Sequence, residues 1–282
     1  SSGINAEYMG KRRRGGRNNN LQFANMSSSP SSAAVLLSFT AALLLCRISA
    51  VHGEDVYLSH ICGLSNHSSS ASSPKINPNN LRTLLEALPD LAQKTGFYNS
   101  SAGAGKDAVY ALGLCRGDVL ENGCHDCLFN ATKKIQELCA HNDTGIIWYD
   151  ECQVRYSSEN FFGRIDRMNQ LNMVNGFSLS DKPGFANGTE AFLLKLAHQA
   201  SGSSLMYAAG DRNVCGFLRQ YGLAQCSRDV SSVDCLKCLR ASIDELKGCC
   251  LGSQGSRILT GTCNVRTEIY AFFDASNQAS SL

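Results

Sequence analysis

Leu81, Leu84, Leu85, Leu88 and Leu91 recur at intervals of three and four between polar positions, the pattern of an amphipathic helix with one buried face. Residues 109–115 (VYALGLC) are apolar almost throughout and read as a strand. A second helix is predicted over 121–138. It carries Cys124 and Cys127 one turn apart, so both thiols lie on one face. Residues 146–156 (IIWYDECQVRY), rich in β-branched and aromatic side chains, read as a further strand. The second half repeats this order. Phe192, Leu193, Leu196 and Ala200 mark a helix, 233–246 a second, and 257–270 with Phe272 and Phe273 a strand. The fold class expected is α+β: a tandem of two modules, each an antiparallel sheet of about five strands packed by two helices.

The cysteines make the repetition explicit. Cys115, Cys124, Cys127, Cys139 and Cys152 recur 111 positions on as Cys226, Cys235, Cys238, Cys250 and Cys263, in the spacing C-x8-C-x2-C-x11-C-x12-C. Flanking residues echo as well: YALGLC answers YGLAQC, and Asp118-Val119 answers Asp229-Val230. This is a duplicated, cysteine-stapled module. The chain divides into a leader with signal peptide (1–53), module one (54–163), a linker (164–171), module two (172–275) and a polar tail (276–282).

Fourteen cysteines call for disulfides or metal, and the leader decides between them. Residues 33–46 form an apolar run of 14, short of the roughly 20 needed to span a bilayer but suited to a signal-peptide core. Val51 and Gly53 suit cleavage before Glu54, with translation starting at Met9 or Met26. The product is expected outside the cell, where thiols oxidise, and no later run is long enough to cross a membrane. The leader holds six of the 26 Lys and Arg but one of the 24 Asp and Glu, so the remainder is slightly acidic. A nucleic-acid partner, which requires a concentrated basic face, is not expected. Five N-x-[ST] sequons follow the leader, at Asn66, Asn99, Asn130, Asn142 and Asn187, and predict glycosylation of the exported chain.

Catalytic and metal chemistry find little support. The C-x2-C pairs fall one per repeat among other cysteines, which argues against a four-thiolate zinc site, and no βαβ context suggests a redox enzyme. His125 lies between two half-cystines, while His60, His67, His141 and His198 are scattered. SAGAGK at 101–106 lacks the spacing of a phosphate loop. Asp118 and Asp229 read as caps or turn residues. No enzyme, cofactor or metal is expected.

The motifs RGDV, IIWYDECQVRYSSENFF, DCLKCLRASIDELKGCC and GTCNVRTEIYAFF give residues 54–275 a specific resemblance to paired ginkbilobin-homologous, or stress-antifungal, domains of plants. Such pairs occur in cysteine-rich repeat secretory proteins, in ectodomains of cysteine-rich receptor-like kinases and in plasmodesmata-located proteins. The resemblance implies bridges Cys62–Cys139, Cys115–Cys124 and Cys127–Cys152, then Cys226–Cys235 and Cys238–Cys263. Met173 stands 111 positions after Cys62, so Cys250 lacks the family's partner. Cys215 and Cys249 are additional; Cys215 bridges either Cys249 or Cys250, and one thiol is left over or links two molecules.

The resemblance also implies a sugar site. Mannose-binding members use an Asn after the first cysteine, an Arg and a Glu. Arg257 and Glu268 match the last two positions in module two, whereas module one has Gly63, Ile146 and Ser157. Asn175 is near the first position in sequence only. The plain alternative for Arg257 and Glu268 is a cross-strand ion pair on a solvated sheet face. The function expected is a secreted, non-catalytic apoplastic binding protein of defence or stress that recognises mannose-type glycans through module two. The alternative is a protein-interaction module equivalent to a receptor-kinase ectodomain, either complete or cut short from a longer gene product.

Overall fold

The computed structural model describes residues 56–63, 76–140, 142–166, 168–179 and 184–274. Module one contains β1 (Tyr57–Gly63), α1 (Pro78–Ala92), β2 (Phe97–Ala102), β3 (Val109–Cys115), α2 (Glu121–Leu138), β4 (Thr144–Tyr149) and β5 (Cys152–Ser157). Module two contains β6 (Gln170–Val174), α3 (Phe185–Gly202), β7 (Tyr207–Cys215), β8 (Leu218–Cys226), α4 (Ser232–Cys249), β9 (Gly255–Thr260) and β10 (Cys263–Glu268). The two five-stranded sheets are antiparallel, with orders β1-β4-β5-β3-β2 and β6-β9-β10-β8-β7. Strand for strand these are one topology. Gln170 and Leu171, assigned to the linker by sequence, belong to β6.

Each helix pair covers one sheet face. Asn77 caps α1 by accepting from the amides of Asn79 and Asn80, ahead of Pro78 in the first turn, where a missing N–H costs nothing. Leu84, Leu85, Leu88 and Ala92 then face the sheet. In α2, Cys124 and Cys127 both point inward and bridge to Cys115 on β3 and Cys152 on β5. The same staples, Cys226–Cys235 and Cys238–Cys263, hold α4 to β8 and β10.

Residues 146–156 and 257–270 are not single strands but hairpins. Asp150-Glu151 and Gly261-Thr262 turn the chain, and β5 and β10 return beside β4 and β9. The β-branched and aromatic residues on both sides of Asp150-Glu151, with no glycine or proline between them, read as one strand.

The last bridge separates the modules. Cys62 joins Cys139. In module two Cys249 joins Cys250, so neither of the Cys215 pairings expected from sequence occurs; Cys215 itself is exposed. The cause lies in β6. Cys62 faces Gly145, and the residue facing the equivalent Ser256 is Val174, not Met173. A one-residue shift flips a strand's side chains to the other face. Val174 therefore packs under the helices as Cys62 does, while Met173 faces module one. No thiol on β6 can reach Cys250.

Module one's Ile146 and Trp148 meet Leu259 of module two, flanked by Leu58, Ile61, Leu171 and Met173, on the sheet faces turned away from the helices. Trp148 donates its indole N–H toward the carbonyl of Thr260 (3.3 Å), and Gln153 donates to that of Gly261 (3.2 Å). In return Gln225 donates to the carbonyl of Cys115 (2.8 Å). A Cβ on Gly117 would overlap the ring of Tyr207, so glycine lets the second module's ring lie on the first module's backbone.

Candidate functional site

Arg257 on β9 and Arg266 on β10 are cross-strand partners on the face turned toward module one. Asp150, in the β4–β5 turn of module one, reaches between them. Its Oδ1 accepts from Arg257 at 2.6 Å and from Arg266 at 2.9 Å, and its Oδ2 lies 3.3 Å from Arg116. Arg116 in turn grips Asp118 through two nitrogens, at 2.6 and 3.0 Å. Asp118 also accepts from Tyr207 and from the amide of Asp274, both of module two. Asp118 is thus a buried cross-module acceptor rather than a helix cap; α2 begins without a side-chain cap.

The electrostatics follow from this packing. Burial by itself would raise the Asp150 carboxyl, but Arg257, Arg266 and Arg116 outweigh burial and hold it below its ordinary value. Arg257 is pushed down to about 10, chiefly by burial and with Arg266 and Arg116 adding, against the opposing pull of Asp150. It remains a cation at neutral pH. Burial raises Glu268, with Arg266 opposing.

The two residues expected to form a sugar site are not paired with one another. Arg257 is 5% exposed and its guanidinium is spent on Asp150, the Asp150 carbonyl and Asn264. Glu268 pairs with Arg266 at 3.1 Å, and Arg266 lies over Phe272. The solvated cross-strand Arg257–Glu268 pair is equally absent. The crevice beside Arg257, lined also by Arg116, Trp148, Asp150 and Asn264, is narrow, with room for about one water.

Register supplies a residue that sequence spacing could not place. The amide of Asn175 donates to the carbonyl of Gly255 at 2.8 Å, and Gly255 pairs with Glu268 across β10. Asn175 therefore stands where Gly63 stands in module one. The Glu268 carboxylate lies over Gly255, where a Cβ would overlap it. In module one Ile146 and Ser157 are buried. Of the sequons, Asn130 and Asn187 are exposed on α2 and α3, Asn99 and Asn142 are half-buried, and Asn66 lies outside the described residues. His67 and His141 also lie outside them.

Two bridged α+β modules joined face to face, with Asp150, Arg257 and Arg266 meeting across the joint, define a tandem cysteine-stapled scaffold. The profile of the salt stress response/antifungal family matches residues 61–159 and 175–270, and the chain belongs to that family, with two copies of its domain. It is 39% identical over 221 residues to cysteine-rich repeat secretory protein 38 of Arabidopsis thaliana, covering 78% of this chain and 86% of that one. An antimicrobial ginkbilobin-2-like protein of Castanea crenata is also 39% identical, over 87% of this chain and 99% of its own length. Among solved structures, the tandem DUF26 ectodomain of a cysteine-rich receptor-like protein from Arabidopsis thaliana superposes with a TM-score of 0.62. It is 27% identical, over 76% of this chain and all of that one.

Proposed function

We propose that the protein is a secreted, non-catalytic binding protein of plant defence or stress that engages another extracellular protein. In this reading Arg257 is a strut between modules and not a ligand for sugar. The observation that carries it is the Asp150 carboxylate, which fills the Arg257 guanidinium from the opposite module. The names of the relatives, secretory and antimicrobial, support secretion and a defensive role. Among the described residues no helix is long and apolar enough to cross a membrane.

A second reading keeps a glycan partner. Asn175 and Glu268 flank Gly255 on adjacent strands, an amide beside a carboxylate that suits paired sugar hydroxyls. Binding of the oxidised protein to mannan and to an array of purified plant ectodomains separates the two. The protein reading expects ectodomain binding and no mannan retention. Mannan binding that Asn175→Ala and Glu268→Ala both abolish would establish the glycan reading instead.

A further inference from the structure

Five of the six bridges among the described residues tie separate elements together, at sequence separations of 9, 25 or 77. The sixth joins neighbours. Cys249 ends α4 and Cys250 is its C-cap. Cys249 is exposed and Cys250 is buried against the module-two core. In the other five bridges every half-cystine except the partly buried Cys62 is buried.

We propose that Cys249–Cys250 is a thiol-exchange site for small extracellular thiols of the glutathione class. Exchange needs a thiolate to reach one sulfur along the S–S axis, so access selects the bridge that reacts. The incoming thiolate attacks the exposed Cys249 sulfur and the S–S bond breaks. The electron pair leaves on the Cys250 sulfur, which takes up a proton. A second thiolate attacks the small-molecule sulfur of the mixed disulfide and releases the oxidised small disulfide and a Cys249 thiolate. Two thiols are oxidised and one bridge is reduced, so the electrons balance.

Position also makes this opening tolerable. A bridge between neighbours closes no long loop, so its loss adds little freedom to the unfolded chain, whereas each of the other five constrains it. The effect is local, on the turn that follows. Gly252 and Gln254 are held to Leu179 and Phe177 by backbone hydrogen bonds of 2.6 and 2.9 Å. Opening the ring frees the entry to this turn while the sheet and its two staples persist. The site does not depend on what the protein binds.

The test incubates the full chain with reduced glutathione under native conditions, traps thiols with N-ethylmaleimide and maps them by peptide mass spectrometry. Cys249 and Cys250 should alkylate at least about tenfold faster than the half-cystines of the other bridges, with the trapped glutathione adduct on Cys249. A Cys249→Ser/Cys250→Ser variant should fold with its five staples intact and lose this fast phase. Equal rates at all six bridges would overturn the proposal. So would alkylation of both residues before any thiol is added.

Discussion

Asp150 is the residue on which the joint turns. Removing its carboxylate leaves the buried Arg257 and the half-buried Arg266 as neighbouring cations with no shared anion. Asp150→Ala should therefore destabilise the protein by about 3 kcal/mol, read as a lower urea midpoint. The pH dependence carries two opposite signs. The Asp150 carboxyl is depressed in the fold, so its stabilisation is complete above the unfolded carboxyl's pKa and is lost as pH falls through the depressed value. Glu268 is raised, so its contribution is complete below the unfolded value and is lost as pH rises through the folded one. Urea midpoints measured across the acid range should lose the first slope in Asp150→Asn and the second in Glu268→Gln. Gly255→Ala should displace the Glu268 carboxylate at a cost of about 1–3 kcal/mol, visible in the same denaturation.

At the scale of elements, periodicity and cysteine spacing made the helices and most of their inward faces legible, although Leu91, expected on the buried face of α1, is exposed and Ala92 is buried in its stead. The α2 span, 121–138, is the one expected from sequence. The first hairpin was not legible, because Trp-Tyr-Asp-Glu-Cys-Gln carries no glycine or proline to mark its turn, whereas the second was missed although Gly261 marks it. The edge strands β1, β2, β6 and β7 were also missed; several are short or mixed in polarity, and their pairing is decided by the neighbouring strand. Offset arithmetic failed at β6 because it carries no information about which side of a sheet a residue faces. It indicated Met173, whereas register puts Val174 in the cysteine's place and Asn175 one further. The correction makes a forecast. Val174→Cys should bridge to Cys250 as Cys62 does to Cys139, release Cys249 and add about 2–4 kcal/mol, scored by non-reducing peptide maps and thermal unfolding.

For the molecule as a whole, the apolar joint matters as much as the ionic one. Trp148 is 1% exposed between the sheets, and Trp148→Ala should cost about 3–5 kcal/mol and loosen both modules together. Calorimetry should then show two transitions in place of one. The candidate sugar ligands were legible by type, yet their use was not, since the carboxylate that claims Arg257 lies 107 positions away in the other module. Ancestral copies of a repeat begin as equivalents, but here one hairpin ends in Asp150 and its counterpart in Gly261. A gene in which module two replaced module one would pair two cations without their shared anion, and one in which module one replaced module two would set Ile146's copy where Arg257 grips Asp150. Divergence at the turn and at the strand position it meets has made the halves non-exchangeable, so unequal crossing-over between them should yield products that fail to assemble.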